Sequence, residues 1–352
     1  MSPVRPAVFS CLVLIFLTSA SGTVQAQLER IDVPRGVLRV AVFSSLMNSD
    51  SRFNDGTTEA ILGTPVSPTG SADADVNYGV LGLDLGLGVV ERVTVFARVP
   101  MVRQRIRAVI RFDDGTQDSV VDSKLTAIGD SEFGASYTIS NRWDREGHPG
   151  GFRAALGGLV RLAAGLPRDP YDPLSIGTTT SQTDLAVGLV ADWGSGSVGA
   201  RFTAGYTMQL AATVEHRATS PVTPLDLSAP IVTVDWNPGD VVHLGVRPFF
   251  RLAQAFAVQV GLTYYRHGRD SYQSTSPGVD PSIIEEGTKR DAWVFGGGMT
   301  YSSPSAADPR AKGLPVEAYW TYEGVVASNS GVVPKVRGVR FGLRLYFGLW
   351  GM

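Results

Sequence analysis

The chain has 352 residues, 43% of them hydrophobic, with 31 Lys and Arg against 33 Asp and Glu for a net charge of −2. That balance excludes nucleic acid as a partner. Past residue 26 no apolar stretch reaches the ~18 residues of a membrane-crossing helix, which leaves room for a transmembrane β-barrel, whose signal per strand is far weaker.

Arg5 is the only charge in residues 1–26, Ala7 to Leu17 is an apolar run, and Val24-Gln25-Ala26 ends the stretch with small residues. The pattern reads as a secretory signal peptide, leaving 27–352 as one domain. The single cysteine, Cys11, lies inside that leader and is followed by Leu-Val, which argues against a lipid anchor. An exported domain without cysteine must find its stability elsewhere, and a closed barrel finds it in a fully paired ladder.

From Gly36 onward the sequence alternates with a period of two in about twelve segments. They lie near residues 36–46, 75–87, 93–111, 129–139, 152–164, 183–193, 198–210, 241–252, 256–267, 290–301, 315–326 and 337–350. The expected fold is all-β: a single transmembrane antiparallel barrel of about 12 strands after the signal peptide. The connections support it, because long ones (47–74, 112–128, 165–182, 211–240, 268–289) alternate with mostly short ones such as 88–92, 194–197 and 253–255, as outer-membrane barrels require. Within the segments, Leu185, Val187 and Leu189 oppose Asp184, Gly188 and Asp192, and Val258, Val260 and Leu262 oppose Gln259 and Thr263. Pro100 and Pro248 each delete a ladder donor, and a bulge near Pro100 is expected, since charges change phase from Arg98 to Arg103, Arg105 and Arg107. Trp143, Trp193, Trp236, Trp293 and Trp350 fall near segment ends, as interfacial girdles would, whereas Trp320 falls mid-segment.

The last segment is the clearest. Val339, Phe341, Leu343, Leu345, Phe347 and Leu349 alternate with Arg340, Gly342, Arg344, Tyr346 and Gly348, a strand between two different solvents. Arg340, Gly342, Leu345 and Phe347 resemble the C-terminal signal by which outer-membrane barrels are handed to their assembly machinery, although Gly351 and Met352 follow the aromatic Trp350.

Three further stretches, Gly129-Asp130 with Gly134, Gly165-Leu166-Pro167, and Thr183-Asp184 with Gly188, look like the outer-membrane transporter-like family named for the meta-pathway of phenol degradation. The resemblance covers about residues 125–270. It implies a barrel of this strand number and a role in moving small, often aromatic, compounds, and it brings no catalytic residues.

The face expected to line the lumen carries Asp84, Arg98, Asp130, Glu132, Arg153, Arg161, Asp184, Asp192, Arg201, Arg247, Arg251, Glu317, Glu323, Arg340 and Arg344. Opposite signs on neighbouring segments read either as a charged channel lining or as ion pairs filling a narrow barrel. Closure would gather Arg39, Arg340 and Arg344 on one sector, a hint of anion preference. Among four histidines the pair singled out, His267 with Ser271, is too little for a hydrolase. No spacing indicates a metal or any other cofactor. The loop from Pro221 to Val232 is apolar for a connection, so Val222, Leu225, Leu227 and Ile231 are candidates for a lid. The expected partners are the lipid bilayer, the barrel assembly machinery and a small-molecule solute. A structural or adhesive surface barrel without an open pore is the alternative.

Overall fold

The computed structural model describes residues 33–62, 70–112, 119–144, 150–171, 175–222, 229–253, 255–274, 280–303 and 314–350. The expected signal peptide lies outside the described residues, as do Leu225 and Leu227 of the candidate lid.

In chain order, β1 (Val37–Ser49) is followed by short β2 (Ser51–Asn54) and β3 (Thr57–Ala60), then by the long hairpin of β4 (Gly70–Val90) and β5 (Val93–Phe112). Next come β6 (Ser119–Ile128), β7 (Ser131–Asp144), β8 (Gly150–Leu162), β9 (Asp184–Ser195) and β10 (Val198–Gln209). Short β11 (Ala212–Arg217) and β12 (Ile231–Asn237) precede β13 (Val241–Arg251) and β14 (Phe256–His267). β15 (Ser271–Ser274) and one helical turn, Pro281–Glu285, lead to β16 (Arg290–Ser302), β17 (Val316–Ala327), β18 (Val332–Pro334) and β19 (Arg337–Gly348).

Twelve of these strands form a closed antiparallel ring in the order β4, β1, β19, β17, β16, β14, β13, β10, β9, β8, β7, β5, with β4 and β5 paired to close it. First and last strands join along nearly their whole length, from Val37 opposite Gly348 to Asn48 opposite Arg337. Closure leaves the ring without the free edges of an open sheet.

The period of two becomes two surfaces. On β1 and β19, Val42, Leu46, Phe341, Leu343 and Phe347 face outward and are 43–57% exposed, while Arg39, Ala41, Phe43, Ser45 and Tyr346 point inward and are buried. The same outward belt continues through Leu83, Val95, Phe133, Leu156, Leu189, Phe202, Leu244, Val260 and Met299. Apolar exposure on that scale is not sustained in water; lipid covers it.

At the long-loop end the chain builds a second layer. β2, β3 and β18 form one small sheet, and β11, β12 and β15 another. Ile61 and Leu62, just after β3, pack with Ile176 onto the inner face of the β4–β5 extension at Val76, Tyr78, Val102 and Ile106. In the other small sheet Val232, Val234, Trp236, Tyr272 and Ile284 make a separate core.

Several expectations need correcting. Pro100 stands opposite Gly82 in an unbroken register, so no bulge marks it, and Arg103 and Arg107 simply face outward beyond the apolar belt. The proline falls where β5 changes partner, from β7 at residues 93–98 to β6 at residues 101–110. Its carbonyl accepts from Gly129 N at 2.9 Å. N–H and C=O of one strand residue point to the same side, so the missing donor faces a place that has no ladder. Trp236 is not part of a girdle, being buried in the β11–β12–β15 sheet; the side chain of Trp143 lies outside the described ones. Trp320, opposite Phe341 and Met299, shares their outward face at mid-strand.

Candidate functional site

Register places charge opposite charge. Asp84 on β4 faces Arg98 on β5, Arg98 faces Glu132 on β7, Glu132 faces Arg161 on β8, and Arg161 faces Asp184 on β9. The side chains complete the row. Arg39 Nη2 lies 3.2 Å from Asp84 Oδ1, Arg98 Nη2 lies 3.0 Å from Asp84 Oδ2, and Arg98 Nη1 lies 3.8 Å from Glu132 Oε2. Arg161 pairs with Asp184, which also accepts from Gln182 Nε2 at 3.1 Å. Asp184 stands opposite Gln209 on β10, whose Oε1 is 3.0 Å from His267 Nε2. Directly opposed residues lie on a line perpendicular to the strands, and barrel strands lean by ~35–45°, so this row climbs the inner wall. Arg39 sits near the short-turn end of β1 and His267 at the loop end of β14.

A second row runs beside it. Asp192 is held between Arg153, with Nε at 2.7 Å, and Arg201, with Nε and Nη2 at 2.7 and 2.9 Å. Arg201 stands opposite Arg247 on β13, and Arg247 Nη2 reaches Glu323 on β17 at 3.3 Å across two intervening strands. Gly261 and Gly296 make that reach possible. They face each other on β14 and β16, and a Cβ on them would meet Arg247 Nε at 3.2 Å and Glu323 Cγ at 2.9 Å. At the short-turn end Glu317 takes Arg344 at 3.6 Å and the Tyr346 hydroxyl at 2.7 Å. Charges buried in this way are tolerable because each meets its opposite.

The three glycine-bearing stretches of the sequence meet at one corner of the wall. β8 ends at Leu162, opposite Ser131, so above that level β6 pairs with β5 alone. Residues 163–171 and 175–183 fill the place. Asp130, in the break between β6 and β7, accepts from Ala164 N at 3.3 Å and Thr180 N at 3.4 Å. Thr178 Oγ1 donates to Ile128 O at 2.8 Å and accepts from Leu166 N at 2.9 Å. A side chain at Gly165 would strike Thr178 O at 2.6 Å. Asp130, expected among the lumen charges, is thus the anchor of this loop.

Of the other expected lumen residues, Arg340 is buried on the inner face opposite Ser45 and Thr321. Arg251 lies at the short-turn end, over the Phe249 ring and bonded to Gly196 O at 3.3 Å. Arg39 and Arg344, expected with Arg340 to form a cationic sector, each hold a carboxylate. Of the assembly-signal residues, Arg340 and Gly342 share the inner face of β19 while Leu345 and Phe347 share the outer one. Val222 is tied down, its carbonyl accepting from Arg52 Nη2 at 2.6 Å while Pro221 O takes Nη1 at 3.0 Å. Ile231 opens β12 opposite Arg217, within the β11–β12–β15 sheet. His267 has Nδ1 against the carbonyls of Gly268 and Thr288 at 2.7 and 3.2 Å, so both ring nitrogens are engaged away from Ser271. The places of Gln209 and His267 at the top of the first row were not anticipated, because only the register reveals them.

No family model matches the chain, and no curated protein matches it. Among solved structures it is similar to an outer-membrane channel from Pseudomonas putida F1, with a TM-score of 0.58 at 11% identity over 91% of this chain and 98% of that one. A FadL homologue from Pseudomonas aeruginosa covers 89% of this chain and 90% of its own at a TM-score of 0.35 and 10% identity. The translocator domain of the autotransporter NalP from Neisseria meningitidis gives 0.41 at 12% identity, covering 92% of each chain. Only the first is close enough to bear on the fold, and what it shows is that the chain has the fold of outer-membrane β-barrels.

Proposed function

We propose that the protein lies in the bacterial outer membrane as a passive channel for small compounds, with the paired charges of the inner wall as its lining. The observation that carries this reading is the row of polar groups from Arg39 to His267, which climbs the wall from one end of the barrel to the other. A wall that only had to fill itself would gain as much from apolar side chains, since replacing buried ion pairs by hydrophobic groups is often neutral or favourable. The first similar structure is an outer-membrane channel, and the glycine motifs resemble a transporter-like family associated with aromatic compounds. The resemblance of the motifs is what supports the solute class of small, aromatic or hydrophobic molecules.

The alternative, a surface barrel without an open pore, draws on the loop layer, where Ile61, Leu62 and Ile176 pack over the inner face of β4 and β5. Single-channel recording in a planar bilayer separates the two. A channel gives discrete steps that change when Asp84→Asn and Glu132→Gln disrupt the first row. A protein that is folded but gives no steps above the bare bilayer would support the surface role.

A further inference from the structure

On the outer wall at the loop end the apolar belt stops abruptly. Leu81, Met101 and Ile128 stand side by side on β4, β5 and β6 and are 47–55% exposed. Two residues further along, the same outward face carries Gly79, Arg103 and Thr126, and two further again it carries Asn77, Arg105 and Lys124. At ~3.3 Å per residue, the wall passes from apolar to cationic in about 7 Å.

A hollow of about 500 Å³ lies on this boundary. Gly79 keeps it open, because no side chain stands there between Leu46 on β1 and Arg103 on β5. The backbone does not demand a glycine, since a Cβ at this place would still be 3.6 Å from its nearest neighbour, Leu46 Cδ2. Leu46, Leu81 and Met101 form the apolar lining, and Arg103, Lys124 and Thr126 the polar one. Arg103 stands between Gly79 and Thr126, both uncharged. Asp75 and Asp122 both stand opposite Arg107, further from the belt. Arg105 takes the two oxygens of Asp122 at 2.8 and 2.9 Å, and Lys124 shares one of them at 3.1 Å. An ammonium has three donors, so that shared contact leaves Lys124, 54% exposed in its side chain, able to meet a second anion. Arg103 and Lys124 are diagonal neighbours on adjoining strands, ~7–8 Å apart at the backbone and within reach of one group placed between long side chains.

We propose that this hollow holds the phosphate of a membrane lipid in the leaflet at the long-loop end. Arg103 and Lys124 take the phosphate oxygens, and the first part of an acyl chain lies over Leu81 and Met101. A guanidinium forks onto two phosphate oxygens, and an ammonium meets a third as a point charge. Charge complementarity selects the phosphate. Continuity with the apolar belt selects a lipid over a soluble anion. The inference requires that the outer face lie in lipid, and it does not depend on whether the lumen conducts.

The test is native mass spectrometry of the folded full chain in a non-ionic detergent, with dioleoyl phosphatidic acid and dioleoylglycerol, which differ only in the phosphate, added at equal concentration. Phosphatidic acid should be retained roughly tenfold or more over dioleoylglycerol, since each cation at a lipid surface contributes a factor of about five. Arg103→Gln combined with Lys124→Gln should bring the two lipids within about twofold of each other. Arg142→Gln, which removes an exposed charge at the short-turn end of β7, should leave the preference unchanged. Gly79→Leu fills the hollow without touching a charge and should weaken phosphatidic acid roughly fivefold. Each variant is first shown to shift on gels between unheated and heated samples. Equal retention of the two lipids by folded protein overturns the proposal, as does a preference that survives the double substitution or falls as far in Arg142→Gln. Displacement of phosphatidic acid by an equal concentration of inorganic phosphate would make this a site for soluble anions and overturn it too. A chain that stays in solution without detergent would overturn the membrane reading itself, and the proposal with it.

Discussion

Asp192 is the residue on which the most local electrostatics converge. It lies between Arg153 and Arg201 and is nearly inaccessible, with a side chain only 1% exposed. Asp192→Ala would leave two guanidinium groups facing each other on the inner wall. Breaking one partner out of a buried pair typically costs about 3–5 kcal/mol, and the midpoint of urea unfolding in detergent should fall accordingly. A midpoint within about 0.5 kcal/mol of the unaltered protein, the range of ordinary surface changes, would mean that water reaches the site freely. His216, outside the membrane, gives a pH prediction. Its pKa falls from 6.5 to about 4 on folding, through burial first and Arg168 second. Above pH 6.5 both states are neutral and its contribution is intact. As pH falls toward 4 the unfolded state takes the proton first, and stability of the β11–β12–β15 sheet is lost. Asp270, raised by burial, works in the opposite sense, and Tyr272 stays protonated throughout. Hydrogen-exchange protection factors in this sheet should therefore drop between pH 7 and pH 5 and should drop less in His216→Gln. Equal drops in both would remove His216 as the cause.

Among the elements, the corner at Gly129-Asp130 lies where β6 ends and β7 begins, and loop contacts take the place of a neighbouring strand there. Asp130 accepts from both Ala164 N and Thr180 N. Asp130→Ala should leave the barrel heat-modifiable on gels while making residues 163–183 cleavable by added protease in unheated samples; uncleaved protein would show that Thr178 suffices. This corner was legible only as three separate motifs in the sequence, since nothing in Gly129, Leu166 or Thr183 says that they meet. β19 was legible almost residue by residue, because each of its faces touches a single solvent and the alternation from Val339 to Leu349 has no reason to break. The loop sheets were not. β2, β11 and β15 are four to six residues long, too short for a period to register. What fixes them is distant in the chain, as when Arg52 bonds to Pro221 across a separation of 169 residues.

For the whole molecule, the period-two segments carried the number of strands and the alternation of long and short connections their up-and-down order, because a barrel in a membrane has no other way to run. The charges of the inner face were visible as well, but not their partners. Pairing Asp84 with Arg98 and Asp192 with both Arg153 and Arg201 requires the register, and a shift by one residue would turn every one of those charges into lipid. The carboxylates that meet Arg39 and Arg344 were hidden in the same way, since both lie on adjoining strands.

The central claim is that alternate residues of one strand meet two phases, and single cysteines test it directly. Cys11 is the only cysteine in the sequence, so a Cys11→Ser background allows cysteines to be placed one at a time at Gln259, Thr300 and Arg344 on the inner face and at Val260, Met299 and Leu343 on the outer one. In reconstituted membranes a water-soluble maleimide should label the first three and spare the second three. Labelling that ignores the alternation, with neighbours such as 259 and 260 reacting alike, would contradict the barrel described here.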